Sequence, residues 1–539
     1  MRRRTFLSTI ALARLAGARE LSADVAVIGG GLGGCAAALA ALRIGARVVL
    51  TEETAWLGGQ ATSQLVPAFD EHPWIEYAGS TRSYRDLRNR IRAYYLTHYP
   101  VTEEARRAPR FNPGGGWVSG FGVEPKVVVA ALEAMLAPYV SSGQLTVMLR
   151  YRPVAASVDG DRVRAVTVRG LDSGLTHAVS ARFFVDATEL GDLLPLTKTE
   201  YVTGFESQKQ TGEPSAPSEA QPANEQSFTH CFAMEYRAGE DHTIDKPAEY
   251  GFWREYVPQL KPAWPGKLLS WMMSNPRTLA PRELGFDPVG AGEAGAVNLW
   301  PYRRIAAKSN FVPGTYASDI TVVNWPQNDY WLGRLIDVSA EEQGRHIARA
   351  KQLSLSLLYW MQTEQRWKGL RLRPDIAGTE DGLAMYPYIR EARRIQAEFT
   401  VVEPHVSTKL RPQGAARFAD SVGTGSYRID LHPSTGGDNY LDVSSQPFEI
   451  PLGALIPKRV ENLVAGCKNL GVTHITNGCY RLHPVEWNIG EAAGALAGRC
   501  ARLNLLPRQV RGQAKLLADF QAQLTEQGVE LRWPRFSER

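Results

Sequence analysis

One stretch of the sequence leaves little choice of fold. Ala23-Asp24-Val25-Ala26-Val27-Ile28 is a short apolar run rich in β-branched residues, and it leads straight into Gly29-Gly30-Gly31-Leu32-Gly33-Gly34. An Ala- and Leu-rich segment from Cys35 to Arg43 reads as a helix, residues 47–51 read as a second strand, and Glu52 ends that strand. The spacing Gly29-x-Gly31-x-x-Gly34 between a strand and a helix is the fingerprint of a dinucleotide-binding βαβ unit. Gly29 permits the tight turn, Gly31 lets the backbone approach a pyrophosphate, and Gly34 lets the helix lie close on the strand. The helix N-terminus offers N–H groups and partial positive charge to phosphates. Glu52, 18 residues past Gly34, stands where an acid accepts hydrogen bonds from ribose hydroxyls. Cys35 reads as a small packing residue.

The remainder of the 539 residues is bounded by composition. A chain of this length forms two or three domains. With 44% hydrophobic and 22% charged residues it is not largely disordered. The formal net charge is +5, and Arg2, Arg3, Arg4 and Arg14 supply four of those charges in a terminal segment without acids. The body is therefore near neutral, which argues against nucleic acid as a partner. No uninterrupted apolar run reaches the ~18 residues of a membrane span. Five cysteines with no Cys-x-x-Cys pair exclude a disulfide scaffold, and no histidine pair has metal-ligand spacing. Arg3-Arg4-Thr5-Phe6-Leu7, followed by Ala16-Gly17-Ala18, resembles a twin-arginine export signal over residues 1–18. Arg14 interrupts its apolar stretch, so periplasmic export and a cytoplasmic protein with a basic terminus both stand.

Later segments extend the nucleotide reading. Trp56-Leu57-Gly58-Gly59-Gln60-Ala61-Thr62 places a second glycine pair just after the ribose acid, which suits a loop crossing a pyrophosphate toward a flavin ring. Residues 153–158 and 164–168 read as hairpin strands joined by Asp159-Gly160-Asp161. Residues 183–186 read as an apolar strand ending in Asp186-Ala187-Thr188, and residues 461–466 as a strand running into Gly466. Residues 486–497 read as a helix whose small residues allow close packing, and its N-terminus suits the negative charge of a reduced flavin.

In these blocks the chain resembles the FAD-dependent oxidoreductases with the glutathione-reductase-type FAD fold, most of all a bacterial branch described only as FAD-dependent oxidoreductase. The resembling blocks are Gly29–Gly34, Leu57–Gln60, Asp186–Asp192, residues 388–394 (Tyr-Ile-Arg-Glu-Ala-Arg-Arg) and Ala465–Gly494. The resemblance implies that Gly29, Gly31, Gly34 and Glu52 hold the ADP half of FAD. It implies that Val154 meets the adenine through its backbone and that Asp186, Gly191 and Asp192 close over the pyrophosphate. Gly58, Gly59, Gln60, Gly466, Asn477 and Gly490 complete the expected cofactor set. Glu189-Leu190 stands where the family has Gly-Asp. The charge run at Arg390, Glu391, Arg393 and Arg394 is expected to be an ion-pair network between domains.

No second Gly-x-Gly-x-x-Gly follows a strand, so electrons are expected to reach the flavin from the substrate rather than from a nicotinamide domain. There is no Cys-x-x-x-x-Cys for disulfide reduction. The Pro- and Ser-containing segment 206–226 reads as a solvated loop. Residues 250–370 carry eight of the 13 tryptophans, which marks a separate substrate-side region of core aromatics, some of them lining a pocket. Ser339-x-x-Glu342 is a capping box opening a helix to about Trp367. Asn324-Trp325-Pro326-Gln327-Asn328-Asp329-Tyr330 mixes polar and aromatic groups as a substrate loop would.

The densest polar segment is 467–486, between the last FAD strand and the last FAD helix. Its His474 and His483 are the first candidates for a catalytic base, because a histidine titrates near neutrality. Tyr480 and Arg481 are placed as substrate-positioning residues, Arg481 by bidentate binding of a carboxylate. His432 is a third candidate base.

The expected architecture is α/β: a Rossmann-like FAD-binding domain of the glutathione-reductase type, with an inserted α+β substrate domain. Its expected boundaries are 22–195 and 396–505 for the two FAD-binding parts, 196–395 for the substrate domain and 506–539 for a helical tail. The expected reaction is hydride removal from a small polar alcohol or amine onto FAD N5, with an external acceptor or oxygen reoxidising the flavin. A flavin-dependent C=C reductase or desaturase is the alternative enzyme, and an FAD-bound assembly or RNA-modification partner the non-enzymatic one.

Overall fold

The computed structural model describes residues 20–290, 292 and 297–534. The twin-arginine segment and the last five residues lie outside the described residues.

The βαβ unit forms as its residues dictate. Strand β1 (Glu20–Ile28) turns at Gly29 into helix α1 (Leu32–Arg43), which returns to β2 (Val48–Glu52). β1 and β2 run parallel, Val25 opposite Val48. β2 is flanked by β3 (Leu145–Leu149). The hairpin expected around Asp159-Gly160 is β4 (Tyr151–Asp159) and β5 (Arg162–Gly170), followed by β6 (Thr176–Asp186). The strand order is β3-β2-β1-β6-β5-β4.

β6 joins the two ends of the chain. Residues 176–180 pair with β5, while residues 184–186 pair in parallel with the strand Leu463–Ala465. The carboxyl ends of the parallel strands β1, β2, β6 and Leu463–Ala465 thus put Ile28, Glu52, Asp186 and Ala465 along one edge. In open α/β sheets that edge is where ligands bind.

The helix His483–Leu503 lies against α1. A Cβ on Gly34 would collide with the Gly29 carbonyl, and one on Gly490 with the Gly33 carbonyl. Gly490 therefore serves close contact between these helices, at the point where the cofactor loop begins. Eleven of the 12 residues of α1 are buried, so the helix is apolar all round rather than amphipathic.

A second core surrounds the antiparallel sheet of β7 (Phe232–Tyr236), β8 (Arg304–Ala306), β9 (Ile320–Val323) and β10 (Leu370–Leu372), in the order β8-β9-β7-β10. Six of the eight clustered tryptophans (Trp253, Trp264, Trp300, Trp325, Trp331 and Trp360) are buried there. The helix Ala340–Thr363 is capped by Ser339, whose Oγ accepts from the Glu342 amide at 3.1 Å. It stops four residues before Trp367.

One expectation changes. Residues 206–226 are not solvated throughout: Glu213 accepts from Thr473 Oγ1 at 2.6 Å and from the Glu403 amide at 2.8 Å, and Asn224, Glu225 and Gln226 are buried. The Arg390–Arg394 run is buried, and every charge in it is paired, as an ion-pair network requires. Arg390 meets Asp329, Arg393 meets Asp192 and Asp337, and Arg394 meets Glu206 and Glu391. Among the described residues no helix is long and apolar enough to cross a membrane.

Candidate active site

Two regions gather the chemistry. The first is a narrow cleft at the carboxyl edge of the sheet, lined by Gly29, Glu52, Thr54, Pro153, Thr188 and Asp192 among others. Gly29 adopts φ +104°, a conformation that disfavours any side chain. Glu52 Oε2 accepts from the Gly30 amide at 2.9 Å, and Oε1 accepts from the Thr54 amide and hydroxyl at 2.8 and 2.7 Å. Burial pushes its carboxyl upward in pKa. Val154 falls in a β-bulge between Pro153 and Ala155, outside the β4–β5 register. Asp186 Oδ1 accepts from Thr188 at 3.1 and 2.7 Å, and burial pushes this carboxyl up to about 7. The Asp192 amide donates to Thr188 Oγ1 at 2.6 Å after Gly191 has turned the chain at φ +68°.

In front of α1 sits a charged cluster. Lys468 Nζ donates to Glu189 Oε2 and lies 3.7 Å from Glu486 Oε2. Glu486 Oε1 accepts from the Gly33 amide at 3.3 Å, and its Oε2 accepts from Gln60 Nε2 at 2.7 Å. Burial alone would lower the Lys468 pKa, but the two carboxylates outweigh it and raise it.

The second region is a cavity of about 760 Å³ whose walls include Asp70, Arg303, Tyr388, Arg428, His432 and Arg481. Asp70 pairs with Arg303, and Tyr388, Arg428, His432 and Arg481 are joined around Asp430 in one polar network. Arg481 Nη1 donates to the Tyr388 hydroxyl at 2.8 Å and Nη2 to the Asp430 carbonyl at 3.0 Å. The Arg390 guanidinium lies over the Tyr388 ring, 4.9 Å from its centre, and donates to Asp329 Oδ1 at 2.9 Å. Asp329 Oδ2 is 2.6 Å from His432 Nδ1, and the other ring nitrogen of His432 lies 3.6 Å from Asp430 Oδ2. Burial opposes ionisation of both acids, yet Arg390 and His432 hold the Asp329 carboxyl below the usual range, and His432, Arg428 and Arg481 do the same for Asp430.

The residues singled out in 467–486 divide sharply. Arg481 lines the cavity. Tyr480 is buried away from it, stacked on Phe448 at 4.4 Å with its hydroxyl donated to the Glu449 carbonyl. His474 stacks on Phe205 at 4.2 Å, and its Nδ1 lies 2.9 Å from Glu391, whose carboxyl is pulled down to about 2 against burial by His474 and Arg394. His483 has both nitrogens occupied: Nδ1 accepts from the Asp70 amide at 3.1 Å and Nε2 donates to the Val66 carbonyl at 3.0 Å. Burial pushes its pKa down to about 4. Of the three histidines only His432 lines the cavity.

Asp70 and Arg303 were not legible as site residues, because each reaches the cavity from a distant part of the chain and neither sits in a motif; Tyr388 opens the 388–394 block, whose charges alone drew attention. The polar-aromatic loop 324–330 was a usable signal: it gives Asn324, Trp325 and Pro326 to the wall, and Asp329 stands behind His432.

The family model described as FAD dependent oxidoreductase matches residues 24–524. The chain belongs to that family. No curated protein matches it. Among solved structures, a point variant of the E. coli quinol fumarate reductase FrdA is 12% identical over 94% of this chain and 74% of that one, with a TM-score of 0.31. A geranylgeranyl bacteriochlorophyll reductase-like protein from Thermoplasma acidophilum is 10% identical over 95% and 85%, with a TM-score of 0.29. An L-proline dehydrogenase from P. horikoshii is 16% identical over 36% and 26%, with a TM-score of 0.19. The match thus spans about a quarter of that dehydrogenase's own length.

The cofactor of this FAD dependent oxidoreductase is FAD, and the residues present fit it. Gln60 Oε1, Asn477 Oδ1 and Asp186 Oδ2 are buried acceptors with no partner among the described residues. Buried polar atoms normally find one. Asn477 is fixed by donating to the Arg390 carbonyl at 2.7 Å, and Gln60 by donating to Glu486 and to the Arg481 carbonyl. Both amides therefore present a carbonyl oxygen of defined orientation, as a ligand bearing N–H groups needs.

Proposed function

We propose that the protein is an FAD-dependent dehydrogenase or oxidase acting on a small polar organic substrate, an alcohol or amine, held in the 760 Å³ cavity. The observation that carries this reading is the His432–Asp329 pair at the cavity wall, with Nδ1 2.6 Å from Asp329 and Nε2 turned to the cavity side, 3.6 Å from Asp430. FAD, when bound, supplies acceptance of a hydride. In this reading Gly29, Gly31, Gly34, Glu52 and Val154 hold its ADP half, Asp186, Gly191 and Asp192 close over the diphosphate, and Gly58, Gly59, Gln60, Gly466 and Asn477 border the ring side. The architecture is then the glutathione-reductase type, its FAD domain split between 22–195 and 396–505 around an inserted substrate domain.

The chain's residues divide the remaining work. Nδ1–H of His432 donates to Asp329, which fixes the tautomer and leaves Nε2 as the base for a hydroxyl or ammonium proton. The imidazolium that forms lies between Asp329 and Asp430, two carboxylates already biased toward the charged state. Arg481, braced by Tyr388 and Asp430, orients a polar substituent. The electron acceptor is a separate small molecule or oxygen. Export through the residue 1–18 segment remains a proposal beside cytoplasmic residence.

A cationic Arg481 in the same wall also favours the alternative of C=C reduction, with the guanidinium as proton donor. Anaerobic mixing of the holoprotein with alcohols, sugars and amines separates the two. Bleaching of the visible flavin band by one of these donors is the expected result. Bleaching only by a reduced nicotinamide, with reoxidation by an activated alkene, would overturn the dehydrogenase reading.

A further inference from the structure

The Glu189–Lys468–Glu486 cluster is more than a salt bridge, because of where it sits. A Cβ placed on Gly31 would lie 2.9 Å from Glu189 Oε1, and one on Gly59 would lie 2.8 Å from the same atom. Gly31 is the N-cap of α1, and in the first turn Glu486 accepts from the Gly33 amide. The diphosphate of a dinucleotide sits at that position, against the first turn of the helix. The Glu189 carboxylate therefore lies against the backbone of Gly31 and Gly59, on the side from which a diphosphate would approach the helix end.

The two carboxylates are held differently. Glu486 is fixed on a long helix by the Gly33 amide and by Gln60. Glu189 lies in the turn after β6, and Lys468 is its only hydrogen-bond partner among the described residues. Its side chain is 18% exposed, against 2% for Lys468 and for Glu486. A diphosphate, Glu189 and Glu486 together would confront one ammonium and one helix end with four negative charges in a buried site. Removing Glu189 leaves three, and lets Lys468 neutralise the incoming phosphate.

We propose that Glu189 is a built-in occupant of the diphosphate seat, and that FAD binding displaces it and transfers Lys468 from Glu189 to the diphosphate. No bond is made or broken; one carboxylate moves out and one ion pair is exchanged for another. The inference rests on FAD as the cofactor and not on the identity of the substrate.

The test compares cofactor-free wild type, Glu189→Gln, Lys468→Met and Lys468→Arg, titrated with FAD by flavin fluorescence and scanned for Tm with and without FAD. Glu189→Gln should bind FAD more tightly, by roughly threefold or more, while the Tm of its cofactor-free form falls, because only the cofactor-free state contains the Glu189 pair. Lys468→Met should bind FAD roughly tenfold or more weakly, and Lys468→Arg should restore most of that loss. Adenosine, which lacks the diphosphate, should bind all four proteins alike. Weaker FAD binding by Glu189→Gln, unchanged binding by Lys468→Met, or adenosine affinity that follows FAD affinity would each overturn the proposal. Were the Met variant not to fold, the Gln and Arg variants still decide the sign.

Discussion

Protonation of His483 should destabilise this protein, and the structure sets the size of the effect. Nδ1 of His483 accepts the Asp70 amide and Nε2 donates to the Val66 carbonyl, so the fold holds one neutral tautomer. A second proton would point at an N–H donor inside a fully buried site. The pKa is accordingly pushed down to about 4 from the ordinary 6.5. A histidine with a depressed folded pKa contributes stability that is fully present above pH 6.5 and is lost as pH falls toward 4. At the usual conversion of pKa shift to free energy, the loss is roughly 1 kcal/mol at pH 5.5 and about 3 kcal/mol near pH 4. His483→Gln offers the same acceptor and donor without a titrating ring. Holoprotein stability in denaturant, measured for both proteins from pH 7.5 to 4.5 at fixed FAD, should show wild type losing this increment relative to the variant. Above pH 6.5 the variant should reduce its flavin at close to the wild-type rate. Parallel stability profiles, or a variant with normal stability but a flavin that no longer reduces, would refute the structural role of His483 and return it to the chemistry.

The other predictions concern the cavity and the helix packing. His432→Gln should slow flavin reduction in anaerobic stopped flow by roughly 10²–10⁴-fold while the protein still binds FAD, the loss expected for a general base. Asp329→Asn should slow the same step and shift its pH profile, because His432 loses the carboxylate that fixes its tautomer; an unchanged profile would remove Asp329 from the mechanism. Replacing Arg390 with Met leaves Asp329 buried beside one fewer cation, and should cost about 3–5 kcal/mol in denaturant titrations. Gly490→Ala drives a methyl into the Gly33 carbonyl and should lower stability by about 1–3 kcal/mol and weaken FAD retention, both read from a thermal scan with and without added cofactor.

The nucleotide half of the molecule was written locally. A glycine at φ +104°, a helix packed so closely that Gly34 and Gly490 admit no Cβ, and an acid at the end of β2 are properties of short stretches whose spacing alone specifies the backbone. The hairpin at Asp159-Gly160 and the Ser339 cap belong to the same class, since turn and cap chemistry act over two to four residues. The tryptophan cluster announced a second core, but not how little of it would face the cavity. Of the eight clustered tryptophans only Trp325 lines that wall.

The choice among histidines was not written locally. His474, His483 and His432 are chemically alike in sequence, and each lies in a polar segment. Their difference is made by Glu391, by the Asp70 amide with the Val66 carbonyl, and by Asp329, partners 83, 413, 417 and 103 residues away. The same holds for Glu189 and Lys468, which meet across 279 residues. Sequence alone determined that this chain builds a βαβ unit for a dinucleotide, because glycine geometry and helix-end charge are short-range. Which histidine meets the cavity, and which carboxylates meet Lys468, only the tertiary structure decided, because both depend on groups that folding brings together from distant parts of the chain.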